Sequence, residues 1–260
     1  MLKKLLKYDL KSKLPFLCIF YALAIGCALM SSVIGLFSEV PILNIIAQIF
    51  AGATISMVFN ILINNTLRSW ALFRQNVYGD PSYLTHTLPL GKTTIYLSKA
   101  LDGLITLTIS FGVIGLSLFI QYYGTELWDI AKALLGQFSG DRTFLMACLL
   151  LGILFLEVVN MLQCGFSGLI LGHKMNKGKV GYSVLAGLGV YTVGQLLILA
   201  VIGVIALFNP HVMNLFTGTQ TVMMDAVWTL AAVSCALYAA LIVGTYFLNV
   251  KILKQGVNVD

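Results

Sequence analysis

Glu157, Asn160 and Gln163 recur at three-residue steps near the middle of an otherwise apolar run, Phe144–Leu171. On a helix that spacing puts all three polar groups on one face. If the run crosses a membrane, a carboxylate at that depth is costly, and no Lys or Arg lies at comparable depth. Glu157 then reads as a pathway or proton site, or as a neutral carboxyl bonding across a helix interface. Two other apolar runs are also rich in polar groups. The stretch 42–63 holds Asn44, Gln48, Thr54, Ser56 and Asn60, with Asn64 just beyond it; 181–208 holds Tyr191, Thr192 and Gln195. Helices of this polarity line a cavity or hold a bundle together through hydrogen bonds.

Other chemistry is missing. Gly91-Lys92-Thr93 has the ending of a phosphate-binding loop, but His86 stands where its earlier glycine belongs. Gly172 to Gly178-Lys179 is one residue too long and ends in Val180, where Ser or Thr should hold magnesium. His86, His173 and His211 fall in separate loops and cannot form one metal site, and Asp9, Asp80, Asp102 and Asp260 are scattered singly along the chain. No enzyme activity and no bound cofactor are expected of this chain. The cysteines Cys18, Cys27, Cys148, Cys164 and Cys235 lie inside apolar runs and read as small packing residues.

The elements that must position these groups follow from composition. Of 260 residues, 59% are hydrophobic and 10% charged. A water-facing surface takes about 25% charged residues, so most of this surface faces lipid. Six runs have the roughly 20 apolar residues that a spanning helix needs: Leu14–Phe37, Ile42–Ile63, Leu101–Gln121, Phe144–Leu171, Gly181–Phe208 and Val222–Asn249. Fourteen of the sixteen Lys and Arg fall on one side of these spans, leaving Lys132 and Arg142 on the other. The positive-inside bias puts both termini in the cytosol. The same distribution excludes nucleic acid, since no single basic patch forms. Ala22-Leu23-Ala24 imitates a cleavage site, but apolar sequence continues past it, as in a retained span.

Between the spans, Met1–Lys13 alternates leucines and lysines at helical spacing, the pattern of a helix lying in the membrane interface. Trp70 and Phe73 extend the second helix beyond its apolar run to about Gly79. Asp80-Pro81 then supplies an N-cap and a first-turn proline, and Pro89 limits the new helix to about two turns. Its exposed Tyr83, Leu84, Thr87 and Leu88 suit a partner's groove or, equally, a loop resting on headgroups. Tyr123–Arg142 is a candidate interfacial helix, and Asn209–Thr221 a re-entrant segment. Gly168-x-x-x-Gly172 and Gly187, Gly189 and Gly194 mark close helix packing, within the chain or at a dimer seam; the former is the reading adopted here.

This layout resembles the ABC-2 type permeases. Tyr83-Leu84-Thr85-His86-Thr87-Leu88-Pro89-Leu90-Gly91-Lys92, followed by Ile95-Tyr96-Leu97-Ser98-Lys99, is similar to the family's stretch leading into the third helix. His86 and Gly91-Lys92 stand where the family commonly has an apolar residue and a Ser-Arg pair. The resemblance implies two permease subunits, this chain paired with a copy or a related chain, forming the pathway with a separate ATP-binding subunit docked on each. ATP and magnesium would belong to that partner. Asp80, Pro81, Tyr83, Leu84, Thr87 and Leu88 would form the coupling helix. Spans two and five would line the path, favouring Asn60, Asn64, Tyr191 and Gln195 over Glu157. Compact members are similar to bacterial exporters of amphipathic peptides, such as bacteriocins and phenol-soluble modulins.

The expectation is therefore an all-α polytopic protein of a bacterial cytoplasmic membrane, surrounded by lipid and forming one domain over 1–260. Its parts are an interfacial helix at 1–13, six spans within 14–249 carrying a short cytosolic coupling helix, and a cytosolic tail at 250–260. The competing expectations are an ion-coupled secondary transporter using Glu157 and a non-transporting sensor or immunity subunit.

Overall fold

Where lipid replaces water, backbone N–H and C=O groups must find partners within the chain, and long apolar runs do so as helices. The computed structural model describes residues 2–37, 39–79, 91–123, 141–175, 177–210, 212–213 and 224–255. Among them are six helices long and apolar enough to cross a membrane: α1 (Leu2–Gly35), α2 (Pro41–Tyr78), α3 (Lys92–Tyr122), α4 (Asp141–Gly172), α5 (Lys179–Phe208) and α6 (Met224–Lys254). The protein is thus helical and multi-pass in character. The expected coupling segment, with Asp80, Pro81, Tyr83, Leu84, Thr87 and Leu88, lies outside the described residues, as do 124–140 and 214–223.

Two expected boundaries shift. α1 begins at Leu2 and runs through Pro15 without a break, so residue 13 does not end a separate helix. Leu2, Leu5, Leu6 and Leu10 are half-buried while Lys3, Lys4, Lys7 and Lys11 are exposed, so one continuous helix carries the amphipathic pattern. α6 likewise continues to Lys254, into the expected tail.

The chain divides into two compact units: Met1–Leu72 with Thr94–Phe138, and Phe73–Thr93 with Ser139–Asp260. In the first, α1 and α3 run parallel. Asp9 meets Ser98, Lys13 meets Asp102 and Tyr21 meets Ser110, each at a separation of 89 residues. α2 runs antiparallel to both, with Ser31 on α1 donating to the Ala47 carbonyl and Gln121 on α3 to that of Ala51.

The seam between these three helices is polar as well as apolar. Lys13, fully buried, donates to Ser69 at 2.5 Å and Thr106 at 2.6 Å and faces Asp102 at 3.5 Å. One turn nearer the N-terminus, Lys99 pairs with Asp9 at 2.5 Å. The chain of bonds continues through Thr106 to Asn65, Asn65 to Ser110, and Ser110 to Tyr21. Beyond it lies an apolar cluster of Leu17, Tyr21, Ala24, Ile61 and Ile114. Buried charges persist when paired and hydrogen-bonded, and here each lysine meets its acid from the neighbouring helix.

In the second unit α4 and α6 are the parallel pair, joined at Leu149–Cys235 and Gln163–Asn249. α5 runs antiparallel between them in sequence, entered through Gly178, whose φ of 66° is the left-handed region that favours glycine. Its backbone approaches α4 at two glycines. A Cβ on Gly168 would stand 2.6 Å from the Gly187 Cα, and one on Gly172 would stand 2.6 Å from the Ser183 Cα. Gly168, Gly172 and Gly187 therefore pack helix to helix within the chain, whereas a Cβ on Gly189 would meet nothing within 4 Å and one on Gly194 only the Leu241 side chain at 3.6 Å. Lys174 donates to Gln255 at 2.8 Å, so the lysine-bearing ends of α4 and α6 meet. All five cysteines are free.

Candidate functional site

α4 brings Glu157 to α5 on the same face that carries Asn160 and Gln163. Tyr191 donates its hydroxyl proton to Glu157 Oε1 at 2.5 Å, and Gln195 donates from Nε2 to the same oxygen at 2.9 Å. Tyr191 and Gln195 are four residues apart, so one α5 face delivers both donors. Tyr238 on α6 completes the set by donating to Gln195 Oε1 at 3.3 Å. One residue from each of α4 and α6 and two from α5 thus form a directional relay ending on a carboxyl oxygen.

The other carboxyl oxygen, Glu157 Oε2, is buried and has no hydrogen-bond partner among the described residues. The same is true of Asn160 Nδ2. Among the described residues no cation pairs with Glu157, whereas both ion pairs formed by described residues lie in the other unit. An acceptor and a donor, neighbours on one helix face, are therefore held for a group the described residues do not supply.

Gln195 has a third role. It lines a shallow, open depression of about 310 Å³ on the face of α5, together with Thr192, Leu196, Ile198, Leu199 and Ile202. Leu196 and Leu199 are largely exposed, as lipid-facing side chains are. The arrangement suits binding: a fixed carboxylate acceptor, a donor amide, and an apolar depression sharing one glutamine.

The expected pathway residues separate accordingly. Glu157, Tyr191 and Gln195 come together in one cluster. Asn60 and Asn64 belong to the other unit and donate to backbone carbonyls one turn back in α2, those of Ser56 and Asn60. Sequence reasoning missed Tyr238, which in an apolar run is indistinguishable from a core aromatic. It also missed the ion pairs of the first unit. Their signal was present: Asp9 and Lys13 four apart and Lys99 and Asp102 three apart, each near the start of a span.

No family model, no curated protein and no solved structure matches the chain. The functional reading therefore rests on the residues and their geometry.

A second region bears on it. At roughly 57 Å, the 38-residue α2 greatly exceeds the bilayer's hydrocarbon thickness of about 30 Å. Its last turns are buried rather than trailing: Phe73, Val77 and Tyr78 are each at most 2% exposed. Phe73 packs on Phe166 with ring centroids 4.8 Å apart, and Tyr78 stacks on His173 at 4.0 Å and 17°. The His173 Nδ1 lies 2.8 Å from the Leu169 carbonyl, which fixes the ring at the end of α4.

Proposed function

We propose that this chain is the transmembrane permease subunit of an ATP-driven exporter of the ABC-2 type. It forms the translocation pathway with a second permease, either a copy or a related chain. Separate ATP-binding subunits hold ATP and magnesium, and this chain is not itself an enzyme. The cargo is an amphipathic or hydrophobic peptide, and the setting is a bacterial cytoplasmic membrane with both termini in the cytosol. The exposed lysines of residues 2–13 rest at the headgroups.

The observation that carries this reading is the end of α2. A segment that converts an ATPase's motion into movement of a span must be joined to that span without slack. α2 leads into residues 80–90 from a terminus clamped by Phe73, Val77 and Tyr78 against α4. That supports Asp80, Pro81, Tyr83, Leu84, Thr87 and Leu88 as the coupling helix. The test is co-purification with a candidate ATPase encoded beside this chain, followed by ATP turnover with and without amphipathic peptide. Replacing Tyr83 and Leu84 with Ala is expected to abolish the complex or its peptide stimulation; unchanged assembly and transport would refute the coupling role.

Glu157 favours a second reading, an ion-coupled transporter, because its buried Oε2 is free to take a proton or cation. Glu157→Gln would abolish transport in that case, whereas an ATP-driven machine would retain its basal, peptide-independent ATP turnover.

A further inference from the structure

We infer that Glu157 is the recognition point for the primary ammonium of a cationic, peptide-like amphiphile whose apolar part lies in the Thr192–Ile202 depression of α5. The inference rests on the exporter reading for its choice of cargo and deepens it by assigning a place and a chemistry for binding.

The cluster holds a carboxylate still and leaves one of its oxygens buried without a donor among the described residues. Tyr191 and Gln195 both donate to Oε1, and the Tyr238 hydroxyl sits beside Gln195 and the Glu157 carboxyl, so among the described residues Oε2 is the carboxyl oxygen left without a donor in hydrogen-bond geometry. An ammonium N–H satisfies Oε2 and supplies the counter-charge that no described residue brings. Asn160 Nδ2, buried and unpartnered three residues along α4, offers a donor for a carbonyl beside that ammonium. Peptides carry this combination at the amino terminus. Gln195 both donates to Glu157 and lines the apolar depression on α5, so the two features adjoin.

Depth decides the source of the ammonium. Glu157 lies 15 or 16 residues from the two ends of α4, a rise of roughly 24 Å. A lipid headgroup remains at the interface, whereas a cation passing through the bilayer must travel past this level. The bound species is therefore cargo.

The test uses the full chain in lipid nanodiscs without any ATPase. Equilibrium dialysis measures binding of leucine octylamide, which has an ammonium, an adjacent carbonyl and an apolar tail; empty nanodiscs give the bilayer partitioning. N-acetyl-leucine octylamide keeps the tail and loses the charge. A saturable component of one ligand per chain is expected for the first compound, with the acetylated one about tenfold weaker, the scale of a charge-assisted hydrogen bond. Glu157→Gln preserves an acceptor for Tyr191 and Gln195 and is expected to weaken leucine octylamide by a similar factor at unchanged helix content. Leu199→Trp, in the depression and away from the carboxylate, is expected to weaken both compounds several-fold. Equal binding of the two compounds, or wild-type affinity in Glu157→Gln, would overturn the inference. Charge-dependent binding by a chain that assembles with no ATPase would support the site and overturn the exporter reading.

Discussion

Gly168 on α4 and Gly187 on α5 hold their two backbones so close that a Cβ on Gly168 would stand 2.6 Å from the Gly187 Cα, whereas a Cβ on Gly187 would meet nothing nearer than 3.5 Å. The contact is asymmetric. Gly168 faces the partner backbone directly, and Gly187 has ordinary van der Waals space around its open side.

Gly168→Ala is therefore expected to lower stability by about 1–3 kcal/mol, because backbone atoms cannot give way as a flexible side chain does. Gly187→Ala is expected to be neutral or stabilising by up to about 1 kcal/mol, through the helix preference for Ala over Gly. Thermal unfolding of the two variants in the same detergent checks this; equal losses would mean that the helices approach differently.

Lys13→Met leaves Asp102 buried without its partner, and a loss of about 3–5 kcal/mol is expected. Joint replacement, Lys13→Met with Asp102→Leu, is expected to recover most of it. Ser69 and Thr106 are not stranded in either case, since each also donates to a backbone carbonyl of its own helix. Unfolding midpoints of both singles and the double close the cycle, and additive losses would show that the charges act independently.

At Glu157 the two oxygens separate two substitutions. Glu157→Leu removes the acceptor of both half-buried donors, Tyr191 and Gln195, and a loss of about 1 kcal/mol is expected for each. Glu157→Gln keeps that acceptor and should unfold near the wild-type midpoint. Similar destabilisation by both would place the stabilising role in the carboxylate charge.

Tyr78→Leu keeps apolar volume at the end of α2 but removes the stack on His173, a contribution of about 1 kcal/mol. Amide hydrogen exchange in the last turns of α2 is expected to quicken about fivefold, with α3 unchanged. No change would show that Phe73 and Val77 hold the terminus alone.

Six spanning helices were legible in the sequence because each is a local property: twenty apolar residues in a row declare themselves without reference to any neighbour. The extension of α2 to Tyr78 was legible from Trp70 and Phe73 for the same reason. The junction at residue 13 was misplaced because lysines suggest an interface, and the sequence does not reveal that Lys13 turns inward to a partner 89 residues away. Asp9 and Asp102 looked scattered on the same ground. Of the candidate site, Glu157, Tyr191 and Gln195 were each readable as polar residues in apolar runs. That α5 offers two donors to one oxygen, and that Tyr238 stands behind them, depends on helix rotation, which composition does not encode.

The constant spacing between α1 and α3 also governs how the first unit can move. If α1 slid by one turn along α3 in one direction, Lys13 would arrive opposite Lys99; in the other, Asp9 would arrive opposite Asp102. Either displacement exchanges two attractions for a repulsion between like charges in a poorly solvated seam. The ordering acid then base on α1, base then acid on α3, works as a key that fits at a single setting. Whatever motion this protein performs, α1 and α3 must make it as one rigid body.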